Sequence, residues 1–301
     1  MEREMAVPPA ASPATYAVGR TRISHLSDGV ATGPRRFWFT GAEPSEWMPV
    51  VGVDDPDTPF PVTFGGFVVT GDGHVTLVDA GWGHRAHEIP GLAGAGRFLD
   101  GLAALGISPA DVDQIVQTHL HADHCGWLIR DDEGSLTFPN ATVHVHEREA
   151  AYWTGDDVKA IPFNNGMADK VRARLRAVEN AGRLHLFDGD LALSEEMRIV
   201  RTHGHTPGHV SVVVADGPDT AILAGDLAHH PAHVEHHCWL PSVDEEPSES
   251  VRSREKIAAL AADTAAIVLA PHFPIPTAVQ VGRDPGGKIK TVARDDLQEK
   301  E

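Results

Sequence analysis

The stretch THLHADHCGW, Thr118 to Trp127, places three histidines and an aspartate within six residues, directly after an apolar run. They are His119, His121, Asp123 and His124. Residues two apart in extended backbone point to the same side, so His119 and His121 present their imidazoles together while Leu120 turns away. Asp123 and His124 follow a turn and can face a second position. One histidine among the 19 of this chain would ordinarily be structural or solvated. An H-x-H-x-D-H string is far more restrictive. Imidazole suits zinc, iron or nickel, and a carboxylate helps to hold a harder dication.

Three further places repeat the pattern. RIVRT is followed by HGHTPGH, with His203, His205 and His209; TAILAG is followed by Asp226; AAIVLAP is followed by His272. Each time a strand-like run ends and a ligand-type side chain begins. Segments that leave the same edge of a sandwich bring their first loop residues together, and sites are usually built there. Two ions held roughly 3.5–4 Å apart at such an edge can share one hydroxide.

The surrounding pattern is α/β. YAVGRTRISHL, FGGFVVT and VTLVDAG read as strands, and FVVTGDGHVTLVD reads as a hairpin because GDG supplies positive-φ positions. GAGRFLDGLAALG is helical and stops at Gly106. VDQIVQT and ATVHVH are strands, EREAAYW is a short helix, and NGMADKVRARLRAVENAG is a longer one. RLHLF, EMRIVRT, HVSVVVA and TAILAG follow as strands. A helix capped by Ser248 runs through ESVRSREKIAALAAD, and AAIVLA is the last strand expected. Tight connections between many of the strands favour mixed sheets. Residues 1–15, rich in Ala and Pro, read as a flexible arm, and 16–301 as one domain; the tail ARDDLQEKE reads as frayed.

The 301 residues suffice for a large core, and 42% of them are apolar. The 43 acidic against 25 basic residues give a formal net charge of −18, which repels a phosphate backbone, so no nucleic-acid partner is expected. No apolar run approaches the roughly 18 residues of a membrane span. Two cysteines and an opening segment without a signal-peptide pattern fit a cytoplasmic protein. Cys125, although next to a ligand-type histidine, reads as a small packed residue.

THLHADH, THGHTPGH, AGD and APHFP together resemble the metallo-β-lactamase-fold hydrolase superfamily, and VDAGWG (Asp79, Gly81) is similar to its early Asp-x-Gly turn. The resemblance spans Phe64 to Phe273. It implies an αβ/βα sandwich, two mixed sheets face to face with helices outside, and a dinuclear site at one edge. One metal would be held by His119, His121 and His205, the other by Asp123, His124 and His272, with Asp226 bridging. His209 would be structural, His203 incidental, and Asp79 would orient a ligand. LTFPNATVHVHEREAAYW, GDLAHHP, WLPSVDEEPSESVRSR and PHFPIP resemble the branch that holds methyl parathion hydrolase and related lactonases and esterases. Acyl-homoserine lactonases carry a Tyr three residues after the bridging Asp; His229 stands there in this sequence.

What the resemblance implies is a hydrolase with two divalent ions, zinc by default, with iron, manganese, cobalt and nickel as chemical alternatives. A metal-bridging hydroxide would open a lactone or cleave a carboxylic ester, with Asp123, Asp226 and His229 as catalytic residues and phosphotriesterase activity beside it. An organophosphate hydrolase is the nearest alternative. A mononuclear-iron persulfide dioxygenase is the alternative from another class. The partner expected is a small apolar ester or lactone, and the resemblance allows a homodimer. Phe37, Trp38, Phe39, Trp47, Trp82, Trp127 and Trp239 are candidate pocket walls. His230, His233, His236 and His237 read as a solvated loop near the entrance.

Overall fold

Short runs of β-branched residues separated by glycine turns build two sheets in strict chain order. The structure is a computed structural model and describes residues 13–294 apart from 72, 131 and 133. The first seven-stranded sheet comprises β1 (Ala14–Val18), β2 (Thr21–Pro34), β3 (Pro59–Gly71), β4 (His74–Val78), β5 (Gln114–Val116), β6 (Thr142–His146) and β7 (Leu184–Phe187). The second comprises β8 (Leu191–Ala192), β9 (Met197–Arg201), β10 (Val210–Asp216), β11 (Asp219–Leu223), β12 (Ile267–Leu269), β13 (Ala278–Arg283) and β14 (Ile289–Arg294). The first sheet is antiparallel as far as β4 and parallel from β4 to β7. In the second, β11 and β12 are the parallel pair.

Parallel neighbours need a crossover, and helices supply it. α1 (Pro44–Val51) precedes β3, α2 (Phe98–Ala104) joins β4 to β5, α3 (Glu147–Thr154) and α4 (Pro162–Asn180) join β6 to β7, and α5 (Pro247–Thr264) joins β11 to β12. The alternating side chains of each strand then feed two layers. Val210, Val212 and Val214 of β10 meet Phe67, Val69 and Val78 between the sheets, while Val213 turns outward to Ile257 and Ala261 of α5. Leu77, Ile115 and Val143 pack outward against Leu102 of α2 and Val171 and Leu175 of α4. The four layers match the sandwich expected from the sequence.

Some boundaries differ. Residues 1–12 of the expected arm lie outside the described residues, while Ala14 and Thr15 already pair in β1. The tail from 295 onward also lies outside them. α5 is capped by Glu246 rather than Ser248, because Pro247 takes the first helical position, where its missing N–H costs nothing. The β13–β14 hairpin was not expected, since its charged and glycine-rich sequence lacks a continuous apolar run.

One local irregularity positions the site. The β2–β3 register shifts between Ser27 and Gly29, leaving Asp28 as the extra residue of a bulge. Opposite it stands Gly65, where a Cβ would lie 1.9 Å from the Leu26 carbonyl oxygen. The bulge turns the Asp28 carboxylate inward to accept from the backbone N–H of Trp82 (2.7 Å), Gly83 (3.2 Å) and Phe98 (2.9 Å) and from Trp127 Nε1 (2.9 Å). Burial still pushes its pKa up to about 6, against the pull of those donors. Asp28 thereby pins the turn that follows Asp79. Asp28→Asn offers one acceptor oxygen in place of two, so we expect about 2–4 kcal/mol lower stability in urea unfolding with an unchanged far-UV spectrum.

Candidate metal centre

The ends of β5, β9, β11 and β12 open onto one edge, and the loop that leaves each carries the side chains singled out in the sequence. Nδ1/Nε2 atoms of His119, His121 and His205 and an oxygen of Asp226 form one group of donors; Asp123, His124 and His272 form a second. Within each group the atoms lie within 4.8 Å of one another. All seven come together, and six of the seven are buried, with Asp123 partly so.

Which nitrogen of each ring faces inward is decided from outside. Asn164 Oδ1 lies 3.2 Å from His121 Nε2 and can only accept, so that nitrogen carries the proton. Asp244 Oδ1 does the same for His205 Nδ1 at 3.1 Å. The inward atoms, His121 Nδ1 and His205 Nε2, face each other at 3.0 Å and are opposed lone pairs when both rings are neutral. His272 donates Nδ1–H to the Thr63 carbonyl (2.8 Å), and its Nε2 faces Asp226 Oδ2 at 3.2 Å. His124 donates Nδ1–H to Asp79 (2.9 Å), and its Nε2 faces Asp123 Oδ2 and Asp226 Oδ1, both at 3.2 Å. His124 Nε2 and Asp226 Oδ1 are buried without a hydrogen-bond partner among the described residues. Converging lone pairs of this kind repel unless positive charge sits among them, and N/O donors at these spacings fit divalent cations.

The electrostatics agree. Burial pulls His119 well below its ordinary value and His121 to about 3, so both imidazoles are neutral. At His124 and His205 burial acts the same way but loses to carboxylates. Asp226, Asp123 and Asp79 hold His124 up, and Asp226 and Asp244 hold His205 at about 10. The carboxylate side of the cluster therefore demands cations.

Glu149 and Arg254 shape the site although neither carried a role in the sequence, whereas Asp79 and His209 take the orienting and structural places expected of them. Glu149, fully buried on α3, accepts from Leu120 N (2.9 Å), Trp153 Nε1 (2.8 Å), Thr206 Oγ1 (2.7 Å) and Gly208 N (3.1 Å). It clamps the two histidine loops together. A Cβ on Gly208 would lie 2.2 Å from the Glu149 backbone nitrogen, so only glycine allows this approach. Arg254, buried on α5, donates to the carbonyls of Leu227 (2.7 Å), His237 (3.2 Å) and Trp239 (3.1 Å) and to Asp244 Oδ2 (3.0 Å). Asp79, at φ +64°, accepts from Thr118 N (2.8 Å) and Oγ1 (2.7 Å) as well as from His124. His209 accepts from the Asp226 backbone N–H (3.0 Å) and donates to the Thr202 carbonyl (3.0 Å), a structural place.

A cavity of about 660 Å³ lies over the donors. Phe37, Trp38, Phe64, Trp82, Phe163 and Val243 supply apolar walls. Phe39 and Trp47 do not line it: they stack on each other (4.8 Å) beneath the wall. Trp127 is buried against Asp28, and Trp239 stacks on His236 at 3.7 Å. The His-rich loop is solvated only in its second half, at the partly exposed His236 and His237. His230 and His233 are buried against Phe39 and Phe60, and His233 bonds the Trp38 carbonyl (2.8 Å), so the loop braces the aromatic wall. His229 reaches the cavity with Nε2 3.1 Å from Asp226 Oδ2. Its ring stacks between Trp38 (5.2 Å) and His272 (4.9 Å), and burial lowers its pKa to about 4. Cys125 is buried outside any disulfide, its thiol donating to the Leu120 carbonyl (3.5 Å) and accepting from Arg174 (3.3 Å).

Residues 66–272 match the family model described as the metallo-beta-lactamase superfamily. The chain belongs to this superfamily. N-acyl homoserine lactonase AttM of Azorhizobium caulinodans is 36% identical over 177 residues, covering 57% of this chain and 62% of that relative, just under two thirds of its length. AttM of Rhizobium radiobacter is 31% identical over 235 residues, covering 72% and 84%. Among solved structures, AidC, a dizinc quorum-quenching lactonase in complex with a product, superposes with a TM-score of 0.79 over 93% of this chain and 97% of that one, at 22% identity, which shows the shared fold. Among the described residues no helix is long and apolar enough to cross a membrane.

Asp244 touches no inward-facing atom of the donor groups, yet it fixes the His205 ring. Asp244→Ala is expected to weaken divalent-metal binding about 10–100-fold in a chelator competition, while far-UV dichroism stays at wild type.

Proposed function

We propose that this protein is a dinuclear metal-dependent hydrolase that opens lactones. The observation that carries the reading is the pair of adjacent donor groups whose lone pairs converge on the shared carboxylate of Asp226. His119, His121 and His205 would hold one ion, Asp123, His124 and His272 the other, and Asp226 would bridge them, with zinc as the first choice of metal. When bound, the ions supply an activated water at neutral pH and polarise the carbonyl to be attacked. The relatives named as lactonases support the substrate class, and the aromatic walls suit a neutral substrate with an apolar tail.

The chain's own residues do the rest. The cavity walls hold the acyl tail and exclude water around the ester. His229, neutral and held between Trp38 and His272, donates Nε2–H to an oxygen of the reacting ester. Water adds to the carbonyl carbon, the ring C–O bond breaks, and the leaving alkoxide takes up a proton to give the hydroxy acid. Asp123, which lines the cavity beside His124 and His272, carries that proton. Asp226 shares that duty. Both cysteines are free thiols, in keeping with the reducing cytoplasm as its compartment.

Protein purified without added metal is expected to carry about two divalent ions per chain. It should open an aliphatic lactone and an acyl-homoserine lactone, lose both activities in chelator and regain them with metal. A p-nitrophenyl ester and methyl paraoxon in the same panel rank ester and phosphotriester cleavage, and gel filtration of the preparation reads whether the chain pairs. Asp226→Ala should lose metal and at least about 100-fold in kcat/KM; full retention of both would end the bridging role. His229→Phe should keep its metal and lose about 10-fold or more in kcat. A single iron with no hydrolysis would instead favour persulfide oxidation.

A further inference from the structure

The cavity has few polar side chains outside the donor groups, and most of them are already committed. Asp244 accepts from His205, Ser250 Oγ (2.6 Å) and Arg254. Asn164, on the first turn of α4, uses its carbonyl on His121 and both amide protons, one on the Tyr152 hydroxyl (3.0 Å) and one on Glu245 Oε1. Glu245 differs. It lines the cavity and receives Asn164 and the Tyr152 hydroxyl, but among the described residues it has no ion pair with Lys or Arg. A carboxylate has about four acceptor positions, so two donors leave it capacity to spare. Its backbone N–H is tied to the His205 carbonyl (3.2 Å), and Oε1 lies 3.9 Å from His121 Nε2. The unsaturated acceptor is thus fixed beside the first donor group, lining a cavity whose other walls are largely apolar, with Ser242 the other uncharged polar side chain besides Asn164 and the histidines.

We infer that Glu245 is a specificity residue of this site, accepting a hydrogen bond from an N–H carried by the substrate carbon next to the scissile carbonyl. The inference rests on the lactone-hydrolase reading and names the residue that selects among lactones. An α-acylamino group offers the N–H that the carboxylate requires. An alkyl group at the same carbon leaves the carboxylate without that donor, and an α-carboxylate would meet like charge. Asn164 and Tyr152 both donate toward Glu245 and hold it in place. For the same reason Glu245→Gln would turn its amide oxygen to Asn164 and bring an NH₂ group up to the substrate N–H, donor against donor.

The test compares two lactones with the same scissile bond, N-hexanoyl homoserine lactone and α-heptyl-γ-butyrolactone, on metal-loaded wild type, Glu245→Gln and Glu245→Asp. The wild type should favour the acylamino lactone about 10-fold or more in kcat/KM, Gln should cut that ratio about 10-fold, and Asp should restore part of it. Metal content and melting temperature are read on each variant. A wild-type ratio near one overturns the inference, and needs no variant to fold. A Gln ratio within about twofold of wild type, with both rates falling together, also overturns it, because Glu245 would then act only through Asn164 and His121. A loaded wild type that opens both lactones at equal rates defeats this inference alone. One that opens neither defeats the hydrolase reading, and the inference with it.

Discussion

Four imidazole nitrogens converge on one oxygen of Asp226: His229 at 3.1 Å, His205 and His272 at 3.2 Å, and His119 at 3.7 Å. The rest of the structure is arranged around making that convergence possible. A neutral imidazole has one N–H and one lone pair, so a ring can aim its lone pair inward only if an acceptor takes its proton outside. Thr63, Asp79, Asn164 and Asp244 are those acceptors for His272, His124, His121 and His205. They come from β3, the turn after β4, α4 and the loop before α5. The donor set is thus assembled by elements from both halves of the sandwich, and no single loop could form it.

The acceptors need positioning of their own, and buried charges do it. Asp28, Glu149 and Arg254 each satisfy four partners, and together they lock the Asp79 turn, the two histidine loops and the segment 227–244. A buried charge with every partner satisfied is rigid, because any displacement leaves a desolvated group unpaired. Three such pins at one sheet edge give the loops the fixity that strands alone do not provide.

This hierarchy explains what was legible in the sequence. His119, His121, Asp123, His124, His205, Asp226 and His272 stood out because chelation needs scarce residue types at the ends of apolar runs, and a string as short as H-x-H-x-D-H is conspicuous. The sandwich was legible because its strands are nearly continuous β-branched runs. Of the outer acceptors Asp79 was legible through its Asp-x-Gly turn, while Thr63, Asn164 and Asp244 were not, because any Asp, Asn or backbone carbonyl can accept a hydrogen bond and only tertiary structure selects one. Asp28 sits in ISHLSDGV with nothing to mark a bulge, and Arg254 in SVRSREK reads as surface charge although it is buried. The His-rich loop misled for the opposite reason. Four histidines within eight residues suggest water or metal, but His230 and His233 behave as aromatic rings with one polar edge, packing on Phe39 and Phe60.

The same physics sets a cost on the fold. Desolvated imidazoles and carboxylates crowd one edge, and the lone pairs of His121 and His205 oppose each other at 3.0 Å. Such a cluster opposes folding unless positive charge joins it, whether as protons on His124 and His205 or as metal ions. The apolar contacts between the sheets and beneath α2, α4 and α5 have to outweigh that repulsion. A cation that binds the assembled donors but not the dispersed ones contributes its binding free energy to the native state. The site by itself therefore costs the sandwich stability, and a bound ion offsets that cost. That coupling is why the pins around it are buried ionic groups: they hold the geometry against lone-pair repulsion, so that the cation meets an arrangement already made.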